Sequence, residues 1–429
     1  MSTHTPTTND RTLGFTDQFG LWASLAVTLT IPAAAVFVVD PIGAGPMGFL
    51  ATATAIVLGT LVGSALLGAV AVAGTLSGRP TMAMLRGVIG DRAAWLPTVL
   101  NIAQCVGWAS IEVLVMTEVA TALTDDALRP LWAVVAGGVA LLMALRPLQS
   151  IRLVRKYLVA LVAVATVLLI VGLLREGAAG ADTGSWTGFW PAFDIVLSLP
   201  VSWAPLVADY SRHARNARGA FWGTALGFAS AGSVYFAMGA LAVFTISGAA
   251  TAYTATEFIP ALLAVPAGVL ALIILLLDEV DEAFANIYST SVSVENLTGR
   301  LPRPVVATVV AVLATAAALS FDLIAYESFL FAIGAVFVPL TVVVVTWVFG
   351  VHRGRYQQAA ATPWLLLPWA AGLVTYQLLA PGFAPLWSDL WVAARAALGI
   401  TTVTASASLA AIAVAAVGTA LVGWTRRPR

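Results

Sequence analysis

The sequence predicts an all-α integral membrane protein with twelve transmembrane helices. Three observations carry that prediction: the composition, the number of long apolar runs, and the placement of the arginines. Of 429 residues, 60% are hydrophobic and 10% charged, with mean hydropathy +0.94. A soluble domain carries about 25% charged residues, so an ordinary soluble enzyme, a disordered chain and a collagen-like rod are excluded. The net charge of zero leaves no electrostatic footprint for nucleic acid. Cys105 is the lone cysteine, which excludes a disulfide framework and a Cys-rich zinc site. The three histidines, His4, His213 and His352, lie in polar, terminal or arginine-flanked stretches, so histidine-based metal or acid–base chemistry is poorly supplied.

Residues 1–17 are polar and lack a basic start, a short apolar core and a small-residue cleavage site. They read as a cytoplasmic tail rather than a signal peptide. A span needs about 20 largely apolar residues. Twelve candidates follow: 18–38, 46–75, 95–122, 130–146, 153–174, 193–211, 218–248, 264–297, 304–321, 323–350, 363–382 and 403–424, with a second short tail at 425–429. Period-2 alternation with an aromatic girdle is absent, which argues against a β-barrel. The longest polar connection runs from Arg175 to Pro191, with Trp186 and Trp190 as interfacial anchors.

Arginine placement tests the count. With the N-terminus inside, 18 of the 21 basic residues fall on the cytoplasmic side, leaving Arg129, Arg175 and Arg395 outside. Losing or adding one helix midway would scramble this asymmetry, so the number of spans is even and both termini are cytoplasmic. The setting is the cytoplasmic membrane.

Several spans carry features that lipid disfavours. Span one holds Thr28, Thr30 and Pro32, and span six holds Pro200 and Pro205 around Ser202 and Trp203. Proline removes an N–H and frees a carbonyl, and such breaks survive only where protein or a cavity satisfies the backbone. Two interrupted helices five spans apart are what inverted-repeat transporters place at the midplane; two ordinary proline kinks are the alternative. In span three, Gln104, Trp108 and Glu112 stand at i, i+4 and i+8, one stripe of one helix. A mid-span carboxylate costs roughly 2.5–3.5 kcal/mol on insertion scales, so Glu112 should face a cavity or a partner. An aromatic face beside hydrogen-bonding groups suits a flat polar heterocycle. The plainer alternative makes Trp108 a packing residue and Glu112 a tie between helices.

Span eight crowds Asp278, Glu279, Asp281 and Glu282 into one turn. Four like charges there cannot all be ionised and unpaired in a low dielectric; some are protonated or a cation sits among them. Glu282, Asn286, Ser289 and Ser293 share one face. Alternatively the apolar run Leu262–Leu277 is itself the span and the acids begin a loop. The segment Asp209–Arg212 ends span six, where Asp209 and Arg212 either tie the loop to the helix or form a solvated helix end.

The segment SGRPTMAMLRGVIGDRAAWLPTVLNIAQCVGWASIE resembles the second-to-third helix region of the nucleobase:cation symporter-1 family, which includes cytosine, hydantoin and allantoin permeases. WAPLVADYSRHAR resembles its sixth-helix end, AFANIYSTSVSVEN its eighth helix and SFLFAIGAVFVPL its tenth. The PVSWAPLVADYSR and ANIYS forms look closest to hydroxymethylpyrimidine permeases linked to thiamine biosynthesis. The resemblance implies an amino-acid/sodium-symporter-like fold with alternating access: a first repeat at 18–174, an inverted second repeat at 193–350 and two further helices at 363–424. In the family, substrate stacks on a third-helix tryptophan and bonds a polar residue one turn later, positions that Trp108 and Glu112 match. That second position is often Gln, so Glu112 departs from the pattern. Asn286 matches a substrate-contacting asparagine. A sixth-helix aromatic falls near Pro200 by spacing from Asp209, with Trp203 three residues away. The family's sodium site joins first-helix carbonyls to eighth-helix hydroxyls, which fall near Val280, Asp281 and Glu282, so carboxylates stand where hydroxyls are expected.

These readings converge on a cation-coupled importer of a nucleobase or related planar heterocycle, such as cytosine or hydroxymethylpyrimidine. Trp108, Glu112, Gln104, Asn286, Ser202, Trp203 and Pro200 form the expected substrate site. Ala26, Thr28, Leu29, Thr30, Asp281, Glu282 and Ser289 form the expected site for the coupling ion, a proton or sodium. Beyond that ion no cofactor is expected, and beyond substrate and lipid no obligate protein partner is evident. The rivals are an amino-acid or amine symporter on the same fold and, more remotely, a membrane enzyme or receptor.

Overall fold

The computed structural model describes residues 11–41, 46–145, 151–177, 185–246, 258–298, 301–321, 324–356, 361–382, 384, 386–400 and 404–425. Within them the chain is helical nearly throughout, and no β-strand extends beyond a single bridge. In chain order the helices are α1 (Phe15–Ser24), α2 (Thr30–Val39), α3 (Phe49–Ser77), α4 (Thr81–Ile89), α5 (Trp95–Ala122), α6 (Arg129–Leu145), α7 (Ile151–Glu176), α8 (Phe189–Ser202) and α9 (Ala204–Ser211). They continue with α10 (Ala217–Ile246), α11 (Phe258–Ala264), α12 (Gly268–Thr298), α13 (Arg303–Ser320), α14 (Ile324–Val345), α15 (Leu366–Leu379), α16 (Trp387–Ala397) and α17 (Ala407–Thr425).

Each of the twelve apolar runs contains a helix or a helix pair. Among the described residues, eight helical stretches are long and apolar enough to cross a membrane by length and composition. The runs at 18–38, 153–174, 264–297 and 363–382 are not among those eight. The first is divided between α1 and α2, the eighth carries the acids, and α15 is only 14 residues long. Three short helices, α4, α11 and α16, lie outside the sequence-based spans or at their edges.

Proline chemistry sets both breaks. Pro32 is the third residue of α2, where its missing N–H would lack a helical partner in any case. Its ring also leaves the Thr28 carbonyl without an i+4 donor. The Thr28 hydroxyl then accepts the Thr30 N–H at 3.2 Å and starts α2. Pro205 stands at the start of α9 and Pro200 in the last turn of α8. Trp203 is the joint, its N–H donating to the Pro200 carbonyl at 3.2 Å.

In lipid there is no hydrophobic drive between helices, so close van der Waals contact does the packing. Helix α3 supplies it with glycine. A Cβ on Gly59 would lie 2.8 Å from Val196 Cβ, and one on Gly63 would lie 2.5 Å from the Leu197 carbonyl oxygen, so α8 rests directly on the α3 backbone. Gly74 meets Ala208 of α9 in the same way. These contacts hold the broken α8–α9 pair.

Helix α12 runs unbroken through the acidic turn. The acids therefore sit inside a helix and not in a loop after Leu277. At the other side of the bundle, the Asp194 carboxylate of α8 accepts from the Ser406 hydroxyl and from the N–H groups of Ala407 (2.8 Å) and Ser408 (3.1 Å). It thereby occupies the N-terminus of α17, where free N–H groups and the helix dipole favour an anion.

Candidate functional site

Helix α5 presents Gln104, Trp108 and Glu112 inward, at 4%, 8% and 2% exposure. Trp108 is set by two rings of α14: Tyr326 edge-on at 5.8 Å and Phe329 edge-on at 5.3 Å. One turn on, Glu112 Oε1 accepts from Asn286 Nδ2 of α12 at 2.8 Å. Asn286 is held by a second bond from the same Nδ2 to the Glu282 carbonyl, 3.3 Å. Glu112 Oε2 is buried and has no hydrogen-bond partner among the described residues. An ionised carboxylate oxygen is an acceptor only, so this atom calls for a donor.

One turn before Trp108, Gln104 Nε2 donates to the Ser202 carbonyl at 2.8 Å and to Asn101 Oδ1 at 3.1 Å. It ties α5 to the α8–α9 joint. The Ser202 hydroxyl turns back to the Leu199 carbonyl, 2.6 Å. Pro200 is buried in α8. Trp203 packs edge-on against Trp22 of α1 at 6.1 Å, and Trp22 also meets Tyr210 of α9 at 6.0 Å. The ring of Trp203 thus joins the two broken helices.

The α1–α2 break brings Ala26, Thr28, Leu29 and Thr30 into the interior, all nearly fully buried. Its carboxylate partner is Glu279. Glu279 Oε2 accepts the Leu29 N–H at 2.7 Å, and the Thr28 hydroxyl lies 2.9 Å from both Glu279 oxygens. The Thr30 hydroxyl lies 2.9 Å from that of Thr28, and the Tyr326 hydroxyl donates to the Thr30 carbonyl at 3.1 Å. Since Tyr326 also touches Trp108, a continuous chain of contacts runs from Glu279 to the indole.

The spacing expectation had centred on Asp281 and Glu282. Among the described side chains, the Glu279 carboxylate accepts the hydrogen bonds from the break. Helical register explains this: Glu279 precedes Asn286 by seven residues, two turns on one face, whereas Asp281 lies about 140° round the helix. The side chain of Asp281 is outside the described residues. Glu282 is buried, with its carbonyl on Asn286, and Ser289 is half-buried two turns beyond it. Reasoning from sequence also missed Tyr326 and Phe329, although Glu327 between them is a charge inside an apolar span, and Asp194, whose partners lie 212 to 214 residues away. Among the described residues no group of three His, Cys, Asp or Glu side chains is arranged to hold a metal ion.

A family model for permeases of cytosine/purines, uracil, thiamine and allantoin matches residues 6–363. The chain belongs to this family. It is therefore a multi-pass membrane transporter and not an enzyme. No curated protein matches the sequence. Among solved structures, the chain is similar in fold to Mhp1, described as a nucleobase-cation-symport-1 family transporter, in a closed conformation with bromovinylhydantoin bound. Identity is 17%, coverage 99% of this chain and 96% of that one, and the TM-score 0.71. An inward-facing Mhp1 matches at 16% identity over 97% and 92%, with TM-score 0.71. A manganese transporter from Eremococcus coleocola matches at 14% over 96% and 95%, with TM-score 0.58. At these identities the likeness is one of fold.

Proposed function

We propose that the protein is a cation-coupled symporter importing a nucleobase or related planar heterocycle, of the class of cytosine or hydroxymethylpyrimidine, across the cytoplasmic membrane. Both termini are cytoplasmic, and two inverted five-helix repeats, 18–174 and 193–350, carry the broken helices, with two further helices after them. The observation that carries this reading is the open acceptor of Glu112 one turn from Trp108, inside a permease of this family. Trp108 stacks on the ring. Glu112 and Asn286 bond its edge, the carboxylate taking a ring N–H or an exocyclic amine. Gln104 and Ser202 fix the neighbouring joint.

The coupling ion acts at the α1–α2 break, where Glu279 takes the part that spacing had given to Asp281 and Glu282. We favour a proton over sodium. Both Glu279 oxygens are already engaged by Thr28 and Leu29, an arrangement that a protonated or an ionised carboxyl can adopt with little movement. Intramembrane acids commonly serve such relays.

A thermal-shift screen of purified protein against cytosine, uracil, hydroxymethylpyrimidine, leucine and putrescine tests the substrate class. A heterocycle should raise the melting temperature, and Trp108→Ala should remove that rise. Stabilisation by leucine or putrescine alone would move the assignment to an amine symporter.

A further inference from the structure

A cavity of about 240 Å³ opens at the end of the bundle where α14 and α17 begin and α15 ends. At about 30 Å³ each it has room for roughly eight waters, or one small solute. Its walls include Asp194, Glu327, Phe331, Leu379 and Arg395. None of these belongs to the site around Trp108.

The charges of the wall select the occupant. Asp194 has its oxygens taken by Ser406, Ala407 and Ser408. Glu327 is 1% exposed and contributes one carboxylate. Arg395 is half-buried, and its guanidinium forms no hydrogen bond or ion pair among the described residues. Two carboxylates against one guanidinium disfavour an anion, and a bare inorganic cation would pair with the Glu327 carboxylate, whose Oε2 has no hydrogen-bond partner among the described residues, while leaving the guanidinium unused. A neutral solute with a donor edge for the carboxylate and an acceptor for Arg395 satisfies both. Phe331, one turn beyond Glu327 on the same face of α14, offers a ring, and an aromatic face suits a flat molecule.

The position is also informative. Glu327 follows Tyr326, which contacts Trp108 and bonds the Thr30 carbonyl. One helix, α14, therefore separates the cavity from the central site. With the termini inside, the cavity lies at the outer end.

We propose that this cavity is a second binding site, an outer loading site for a neutral planar heterocycle of the class carried at Trp108. It rests on the reading of the central site as a heterocycle site. The occupant docks between Phe331, Glu327 and Arg395 before passing α14.

Equilibrium dialysis of the full-length protein with radiolabelled cytosine tests this. Wild type should bind two cytosines per chain, Trp108→Ala one, Arg395→Gln one, and the double variant none. Arg395→Gln should also raise KM for cytosine uptake several-fold with kcat unchanged, and Arg395→Lys should recover part of it. One cytosine per chain in wild type, unaffected by Arg395→Gln and lost in Trp108→Ala, overturns the loading site and leaves the central reading standing. No cytosine bound by any variant overturns both. Leucine bound in an Arg395-dependent way, with no second cytosine, makes the cavity a zwitterion site and overturns the class proposed.

Discussion

The Glu279 carboxylate accepts the Leu29 N–H at 2.7 Å, joining α12 to the break between α1 and α2 across 250 residues of sequence. The same carboxylate meets the Thr28 hydroxyl, and through Thr30 and Tyr326 the contacts reach Trp108. Change in the state of Glu279 thus has a physical route to Trp108, the centre of the proposed substrate site. Hydrogen bonds to a charged group contribute about 1.5–3 kcal/mol each, so loss of that state is enough to shift a two-state equilibrium.

Stacking is the first test. Trp108→Ala should cost about 1–3 kcal/mol of substrate affinity, as for bases stacked on aromatics generally. Trp108→Phe should lose much less, since it retains a face between Tyr326 and Phe329. An unchanged half-saturation constant in Trp108→Ala would make Trp108 a packing residue only.

The Glu112–Asn286 bond gives a second. In a double-mutant cycle on stability, Glu112→Ala and Asn286→Ala should couple by about 1.5–3 kcal/mol, because each alone strands a buried partner. Asn286→Ala should be the more harmful single change when Glu112 is ionised, leaving its carboxylate without a donor. Additive effects would show that the 2.8 Å contact has no energetic content.

Helix contact supplies a third. Gly63→Val would drive a branched side chain into the Leu197 carbonyl and Pro200. Overpacking of this kind costs about 1–3 kcal/mol. The melting temperature should fall, and transport should fall with it because α8 carries the joint. Gly138→Ala is the control, since nothing lies within 4 Å of a Cβ there. Equal effects at both positions would refute the close-packing account.

Topology is testable with single cysteines. Cys105 is buried and gives little background. Glu257→Cys, before α11, should label from outside, and Gly299→Cys, after α12, from inside. Labelling of both from the same side would remove α12 as a crossing and break the twelve-span arrangement.

Much of this was legible in the residues. Pro32, Pro200 and Pro205 locate both helix breaks, because a missing N–H is a local covalent fact. The Gln104–Trp108–Glu112 stripe follows from the helical period. The bonds of Glu279 to the break were not legible from spacing against related helices, although the two-turn interval to Asn286 already put both on one face. The turn that holds Tyr326 and Phe329 was marked by Glu327, a charge inside an apolar run, though nothing singled out the two rings. Asp194 looked like the start of a span, since its partners at 406–408 become neighbours only when α17 packs on α8 and α14.

Uptake into proteoliposomes tests the central claim, that a heterocycle is driven inward by an ion acting at Glu279. Purified wild type in sodium-free buffer with an inward proton gradient should accumulate labelled cytosine or hydroxymethylpyrimidine above equilibrium. Glu279→Gln should bind the same heterocycle yet only equilibrate it. Strict sodium dependence with no response to the proton gradient, or accumulation by Glu279→Gln equal to wild type, would contradict it.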